Sequence, residues 1–425
     1  VESFTIDNLQ ITLNKEGDRV YSKVSYPLRY GRFMEIKSPD HVFQFNLNGQ
    51  LKFINGRGKD WPHPSEWLKR TITDDWVYYS TGGYEGSYDC FGEYYVPCLS
   101  YPSNAVNLSD PFNDKAVIYA IEAWGRLYKK LTELNSGSLP NGLREFFNLV
   151  ISNSPEELGK RSNRLYEIIG DPITVLPPDT RHVDYDVIPV IIADGCLYRC
   201  GFCTVKSRLG FKERSREDIK SQIRGLRGFF GNDISNYNSI FLGQHDALNS
   251  TADLIEFSVK YAYEAFDLKN SNLKGPSLFF FGSVDSIIKS DYAVFEKLDR
   301  LPFRTYINVG LESVDQETLD RLGKGITSEA VEKAFTKSIG INRRYEKIEI
   351  TSNFVFGNTL PEGHINSLFR LMEKSFHHPF YKGSIYFSPL VNGKDMGWKR
   401  SVKREFLRLK IGIPIPSFLY LIQRL

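Results

Sequence analysis

Ile188-Pro189-Val190-Ile191-Ile192-Ala193, running straight into Asp194-Gly195-Cys196-Leu197-Tyr198-Arg199-Cys200-Gly201-Phe202-Cys203, is the stretch on which the reading of this chain turns. The apolar run is short and uninterrupted, as a strand buried in a parallel sheet would be. It leads into a loop whose cysteines are spaced C-x3-C-x2-C. Comparable runs follow at Ser239-Ile240-Phe241-Leu242, Ser277-Leu278-Phe279-Phe280-Phe281, Tyr306-Ile307-Asn308-Val309, Ile348-Glu349-Ile350 through Phe354-Val355-Phe356, and Ile385-Tyr386-Phe387. Helical patterns lie between them. Ser215 is placed to cap a helix running to about Phe230, and another is expected from about Thr251 to Phe266. Six βα repeats in this rhythm fit a parallel, right-handed α/β layout.

Three thiolates on one short loop leave one iron of a [4Fe-4S] cubane open, and that iron can take its fourth ligand from outside the protein. The competing reading is three structural or zinc-binding cysteines, although zinc sites usually combine C-x2-C pairs with a fourth cysteine or histidine close by. The chain has five cysteines. Cys90 and Cys98 are too few for a second cysteine-rich cluster, and no disulfide framework is implied. An oxygen-labile cluster needs a reducing compartment, so a cytoplasmic location is expected.

At 425 residues the chain suggests two domains, or one barrel with a substantial extension. A formal net charge of +3 argues against a globally electrostatic nucleic-acid binder. No apolar run reaches membrane-spanning length, and Val1-Glu2-Ser3-Phe4 lacks the basic start and apolar core of a signal peptide.

Residues 1–180 read as an N-terminal α+β domain for substrate or partner binding, 181–395 as the barrel, and 396–425 as a basic then apolar C-terminal segment. Val20 to Tyr26 and Val42 to Gly49 alternate with period two, and Asn48-Gly49 signals a hairpin. Lys115 through Leu134 is amphipathic. Ser154-Pro155-Glu156-Glu157 has the form of a capped helix start, and Pro177-Pro178 that of a linker.

Ligands of parallel α/β folds collect at the carboxyl ends of strands, and the remaining motifs fall there. The cysteine loop resembles that of the radical S-adenosylmethionine (SAM) superfamily, in which the amino and carboxylate groups of SAM fill the open iron site. The resemblance covers roughly Asp186 to Asn392. It implies an open, partial (β/α)6 TIM-like barrel, Cys196, Cys200 and Cys203 as cluster ligands, and Phe202 against adenine. Gly243-Gln244-His245-Asp246 stands where many members carry a glycine-glycine-glutamate for the SAM ammonium. Here the pattern departs, leaving Gln244, His245 or Asp246 to supply the acceptor.

Gly310-Leu311-Glu312-Ser313 resembles the segment of the branch holding oxygen-independent coproporphyrinogen oxidases, methylthiotransferases and the elongator catalytic subunit. That resemblance implies Glu312, with Ser313, as a SAM contact and Lys324 as a cation for the SAM carboxylate. Phe356-Gly357-Asn358-Thr359-Leu360-Pro361-Glu362 is similar to a further turn of this branch, with Asn353 and Glu362 as candidates for ribose or substrate. Pro389 stands where backbone groups would meet adenine. The catalytic candidates are His245, Asp246 and Cys98.

The resemblance implies an enzyme that cleaves SAM reductively to a 5′-deoxyadenosyl radical and takes hydrogen from a substrate. Its substrate is open between a small molecule, RNA and protein, and its electron donor would be a flavodoxin or ferredoxin. The alternatives are an RNA- or protein-modifying transferase of the same branch and a non-catalytic cluster or cofactor chaperone or sensor. Lys399, Arg400, Lys403, Arg404, Arg408 and Lys410 precede an apolar run, which suits an anionic partner, a membrane surface or packing across the barrel opening.

Overall fold

The structure is a computed structural model that describes the chain apart from residues 23–28, 82–86, 88–92, 94, 100–109, 199, 202, 204–209, 244, 358, 377–381, 391–395 and 422, and the side chains of 396–400. It forms two compact units: residues 1–171 with 226–237 and 270–274, and residues 172–225, 238–269 and 275–425. The first unit takes in two short later segments besides residues 1–171. Pro177-Pro178 is not a surface linker. Pro178 opens a 3-10 helix, Pro178–Val183, with Asp179 and Thr180 fully buried.

In the first unit β1 (Glu2–Ile6), β2 (Leu9–Glu16), β3 (Arg32–Lys37), β4 (His41–Phe45), β5 (Leu51–Gly56), β6 (Trp67–Arg70), β7 (Trp76–Ser80) and β8 (Val96–Leu99) form an eight-stranded antiparallel sheet in chain order. Alternation sorts its side chains between two faces. Ile11, Ile36, Phe43, Phe45, Ile54 and Leu68 share a core with Val117, Trp124 and Leu127 of α1 (Lys115–Leu134) and Phe146, Phe147 and Val150 of α2 (Asn141–Ile151). Val42, Phe53, Trp67, Val77, Tyr79 and Tyr95 form a second cluster. Beside it lies a cavity of about 590 Å³ lined by Lys15, Arg29, Glu35, Lys37, Gln44 and Trp67.

The Asn48-Gly49 signal holds: residues 46–50 turn between β4 and β5, with Gly49 at φ +76. The strand expected at Val20–Tyr26 does not form over Val20–Ser22, and the rest of it lies outside the described residues. Ser154 caps α3 (Pro155–Gly159) by accepting from Glu157 N–H at 3.1 Å, and α4 (Arg161–Ile169) follows.

The second unit is built on a seven-stranded parallel sheet. Its strands are β9 (Ile188–Pro189), β12 (Ser239–Phe241), β13 (Ser277–Gly282), β14 (Arg304–Glu312), β15 (Ile348–Phe356), β16 (Ile385–Pro389) and β17 (Ser417–Leu419), in that spatial order. A separate antiparallel pair, β10 (Ala193–Asp194) and β11 (Lys212–Glu213), flanks the cysteine loop. The expected six-residue first strand is a strand over Ile188–Pro189 only, although Val190 N–H still donates to Phe241 O at 2.8 Å. Gln222 Oε1 accepts from Ile191 N–H at 2.6 Å and its Nε2 donates to the Ile191 carbonyl at 3.1 Å.

Between the strands lie α5 (Arg216–Phe230), α6 (Ala252–Ala265), α7 (Val284–Lys289), α8 (Tyr292–Asp299), α9 (Gln316–Leu322), α10 (Ser328–Arg344), α11 (Gly363–Ser375) and α12 (Met396–Gly412). The architecture is an open α/β barrel with a seventh strand added by the C-terminal segment. That strand was missed from the sequence. Phe406 of α12, fully buried, meets Phe356 and Phe387, while β17 pairs with β16. The chain then returns along residues 173–176, with Gln423 O accepting from Leu176 N–H at 2.9 Å and Tyr420 OH donating to Leu176 O at 2.8 Å. Lys410 of the basic stretch donates to Ser417 O at 2.9 Å. No helix among the described residues is long and apolar enough to cross a membrane.

Candidate active site

A two-residue β pair has little stability of its own, so the base of the cysteine loop needs further ties. Arg214 supplies one, gripping both oxygens of Asp194 at 2.8 Å through Nε and 2.5 Å through Nη2. Such a fork is stronger and more directional than a single-point ion pair. Within the loop, Gly201 N–H donates to Leu322 O at 2.9 Å at the end of α9. Tyr198 OH donates to Asp285 Oδ2 at 2.9 Å and accepts from Asp285 N–H at 3.1 Å in the first turn of α7. Three separate ties therefore hold the described residues of the loop.

Cys196, Cys200 and Cys203 are not in disulfides, Cys200 buried and the other two half-buried. Burial pushes the Cys200 thiol up, and the Lys324 ammonium pulls it down. Charge on Cys196 or Cys203 also raises it, so the three sulfurs share one electrostatic neighbourhood. No group of three or more His, Cys, Asp or Glu among the described residues is already gathered to hold a metal ion. In donor chemistry, three unbridged thiols beside a cation suit an anionic iron–sulfur cluster.

Lys324 projects its Nζ to within 3.0 Å of Glu312 Oε1 and 2.6 Å of Gly310 O. The Tyr198 ring centroid lies 5.7 Å away. β14 reaches this arrangement through a register shift between Gly310 and Glu312, where Glu312 takes a left-handed φ of +65°. Position 310 must be glycine for the carboxylate to fold back, since a Cβ there would stand 2.5 Å from Glu312 Oε1.

Asp246, after β12, is buried with 4% exposure. Its Oδ1 accepts from Ser283 N–H at 3.1 Å, while Oδ2 has no hydrogen-bond partner. Burial raises its carboxyl, with the Ser283 and Ser286 hydroxyls pulling the other way. Gly243 nearby is left-handed at φ +76, and His245 is half-buried. Gln244 and Phe202 lie outside the described residues.

Asn353 pairs with Asn308 side chain to side chain, its Nδ2 donating to Asn308 Oδ1 at 2.5 Å and its Oδ1 accepting from Asn308 Nδ2 at 3.0 Å. Asn308 also donates to Thr351 Oγ1 at 2.8 Å, and Thr351 donates to Asp179 Oδ2 at 2.6 Å. Tyr386 OH donates to Asp179 Oδ1 at 2.9 Å and receives Arg181 Nε at 3.1 Å. Burial lifts the Asp179 carboxyl to about 7. Sequence reasoning missed Asp179 and Asn308, since no motif surrounds either and only their pairing reveals them.

Among the remaining candidates, Cys98 lies on β8 in the hydrophobic core of the first unit, its thiol turned to Val96 O. Ser313 is fully buried against His364, Glu362 is exposed at the start of α11, and Pro389 ends β16.

Residues 190–372 match the family described as the radical SAM superfamily. That match covers under half of the chain, and the superfamily it describes uses a [4Fe-4S] cluster and SAM. Among solved structures it is similar to a radical SAM methyltransferase from Sphaerobacter thermophilus, at 15% identity over 55% of this chain and 66% of that one, with a TM-score of 0.35. It is also similar to methylornithine synthase, at 13% identity over 67% and 73% with a TM-score of 0.34. A third is the Elp3 protein of Methanocaldococcus infernus, at 14% over 48% and 52% with a TM-score of 0.31. The family assignment rests on the sequence match. The curated proteins contain no match to this chain.

Proposed function

We propose that Cys196, Cys200 and Cys203 hold a [4Fe-4S] cluster and that this unit binds SAM beside it for reductive cleavage. The observation that carries this reading is the set of three cysteines outside any disulfide on one tied-down loop, with Lys324 acting on Cys200 and paired to Glu312. When bound, the cluster supplies one electron, which with SAM gives methionine and a 5′-deoxyadenosyl radical. A flavodoxin or ferredoxin would replace that electron.

Glu312 and Lys324 neutralise each other in the ligand-free chain, and SAM offers a partner to each: its ammonium to the carboxylate, its carboxylate to the ammonium. Asp246 Oδ2, buried without a partner, supports a second acceptor for a cationic group. The Asn308–Asn353 pair holds amide groups that suit ribose hydroxyls. Such a radical would take hydrogen from a C–H bond of a small-molecule, RNA or protein substrate.

Anaerobic reconstitution with iron and sulfide, followed by reduction in the presence of SAM, tests the reading. Formation of 5′-deoxyadenosine is expected from the parent chain and not from Cys200→Ala.

A further inference from the structure

His364 does not belong to any motif legible in the sequence, yet it is 1% exposed and both ring nitrogens are engaged. Nε2 lies 2.8 Å from the Val355 carbonyl, which can only accept, so Nε2 carries the proton. Nδ1 is then an acceptor, and Ser313 Oγ donates to it at 2.8 Å. The same Ser313 oxygen accepts from Asp315 N–H at 3.0 Å. Burial lowers the imidazole pKa, which keeps this neutral tautomer in place.

The residue tied down this way is the immediate neighbour of Glu312. A non-glycine residue at φ +65° is sparsely populated and persists only where its surroundings fix it. Packing alone does not need two polar contacts in a site closed to water. An apolar ring would fill the volume and release Ser313. The first turn of α11 is also cut to bring His364 close, because a Cβ on Gly363 would stand 2.7 Å from Asp315 Oδ1.

We infer that His364 is a positioning residue: through Ser313 it locks the left-handed turn that aims the Glu312 carboxylate, and it joins that turn to the end of β15. The inference rests on the reading of Glu312 as a SAM contact for its consequence, though not for its geometry.

The test uses the reconstituted full chain carrying His364→Phe, Ser313→Ala, the double variant, His364→Asn and Glu312→Gln. Hydrogen–deuterium exchange across residues 310–316, without SAM, reads the lock itself. Calorimetry with SAM reads its effect. Faster exchange and about tenfold weaker SAM binding are expected in His364→Phe and in Ser313→Ala, the weight of one hydrogen bond. The double variant should be no weaker than either single one, and His364→Asn, which retains an acceptor for Ser313, should recover part of the loss.

Ser313→Ala removes both the bond to His364 and the one from Asp315 N–H without disturbing the imidazole's packing, so it reads the lock even where His364→Phe folds poorly, and His364→Asn reads the share of the imidazole. Unchanged exchange in Ser313→Ala overturns the inference. So does faster exchange with unchanged SAM affinity when Glu312→Gln does weaken binding. If Glu312→Gln leaves SAM affinity unchanged, the SAM assignment of Glu312 fails, and the exchange result alone supports or overturns the positioning role.

Discussion

Lys324 Nζ and Glu312 Oε1 stand 3.0 Å apart with side chains only 4% and 11% exposed. A buried pair of this kind stabilises little as a whole, because desolvation offsets attraction, but removing one partner strands the other charge. We predict that Lys324→Met destabilises the ligand-free protein by about 3 kcal/mol, while Lys324→Met with Glu312→Gln recovers much of it. Urea denaturation of the four proteins measures the cycle. An additive double variant would mean that the two groups do not see each other.

Asp179 gives a prediction in pH. Its folded pKa of about 7 lies above the ordinary 3.8 of an aspartate, so the folded state holds its proton where the unfolded chain has released it. Stability is therefore greatest below pH 4 for this group and falls as pH rises to about 7, by roughly 4 kcal/mol at most. Asp179→Asn should flatten that part of the stability profile relative to the parent chain. Parallel profiles for the two proteins would refute it.

His364 works in the opposite direction. Its folded pKa is depressed by burial, with Asp315 opposing, so the unfolded chain takes up a proton first as pH falls below 6.5. Stability from this group is present above that pH and is lost as pH falls toward the folded value. We predict that His364→Phe loses this acid-side slope, as read from denaturation midpoints between pH 5 and 7. A slope equal to the parent's would remove His364 from the account.

Much of the second unit was readable because a buried parallel strand must be an apolar run, and five of the six expected runs became strands of three residues or more. The first run forms a strand over two residues only, and Gln222, a polar residue on a neighbouring helix, takes the Ile191 amide and carbonyl. Ser417–Leu419 was read as part of a tail because three residues carry no period; only its pairing with β16 makes it a strand. The cysteines and Glu312 could be found by spacing. Asp179, Asn308 and His364 could not, since each depends on a partner distant in sequence: Asp179 on Tyr386, 207 residues away, and His364 on Ser313, 51 away.

The fork between Arg214 and Asp194 predicts a defect in loading and not in folding. Arg214→Ala releases the base of the cysteine loop while the core strands are untouched, so iron retained after desalting should fall several-fold with little change in the denaturation midpoint. Full retention would show that the contacts of Gly201 and Tyr198 suffice.

The central claim is tested most directly by counting iron and 5′-deoxyadenosine in one anaerobic preparation, beside variants in which Cys196, Cys200 or Cys203 is alanine. The account predicts about four irons per parent chain and 5′-deoxyadenosine on reduction with SAM, with both lost in each variant. Cys98→Ala should keep both, because that thiol is packed in a hydrophobic core. A chain lacking all three loop cysteines that still binds four irons and cleaves SAM would contradict it.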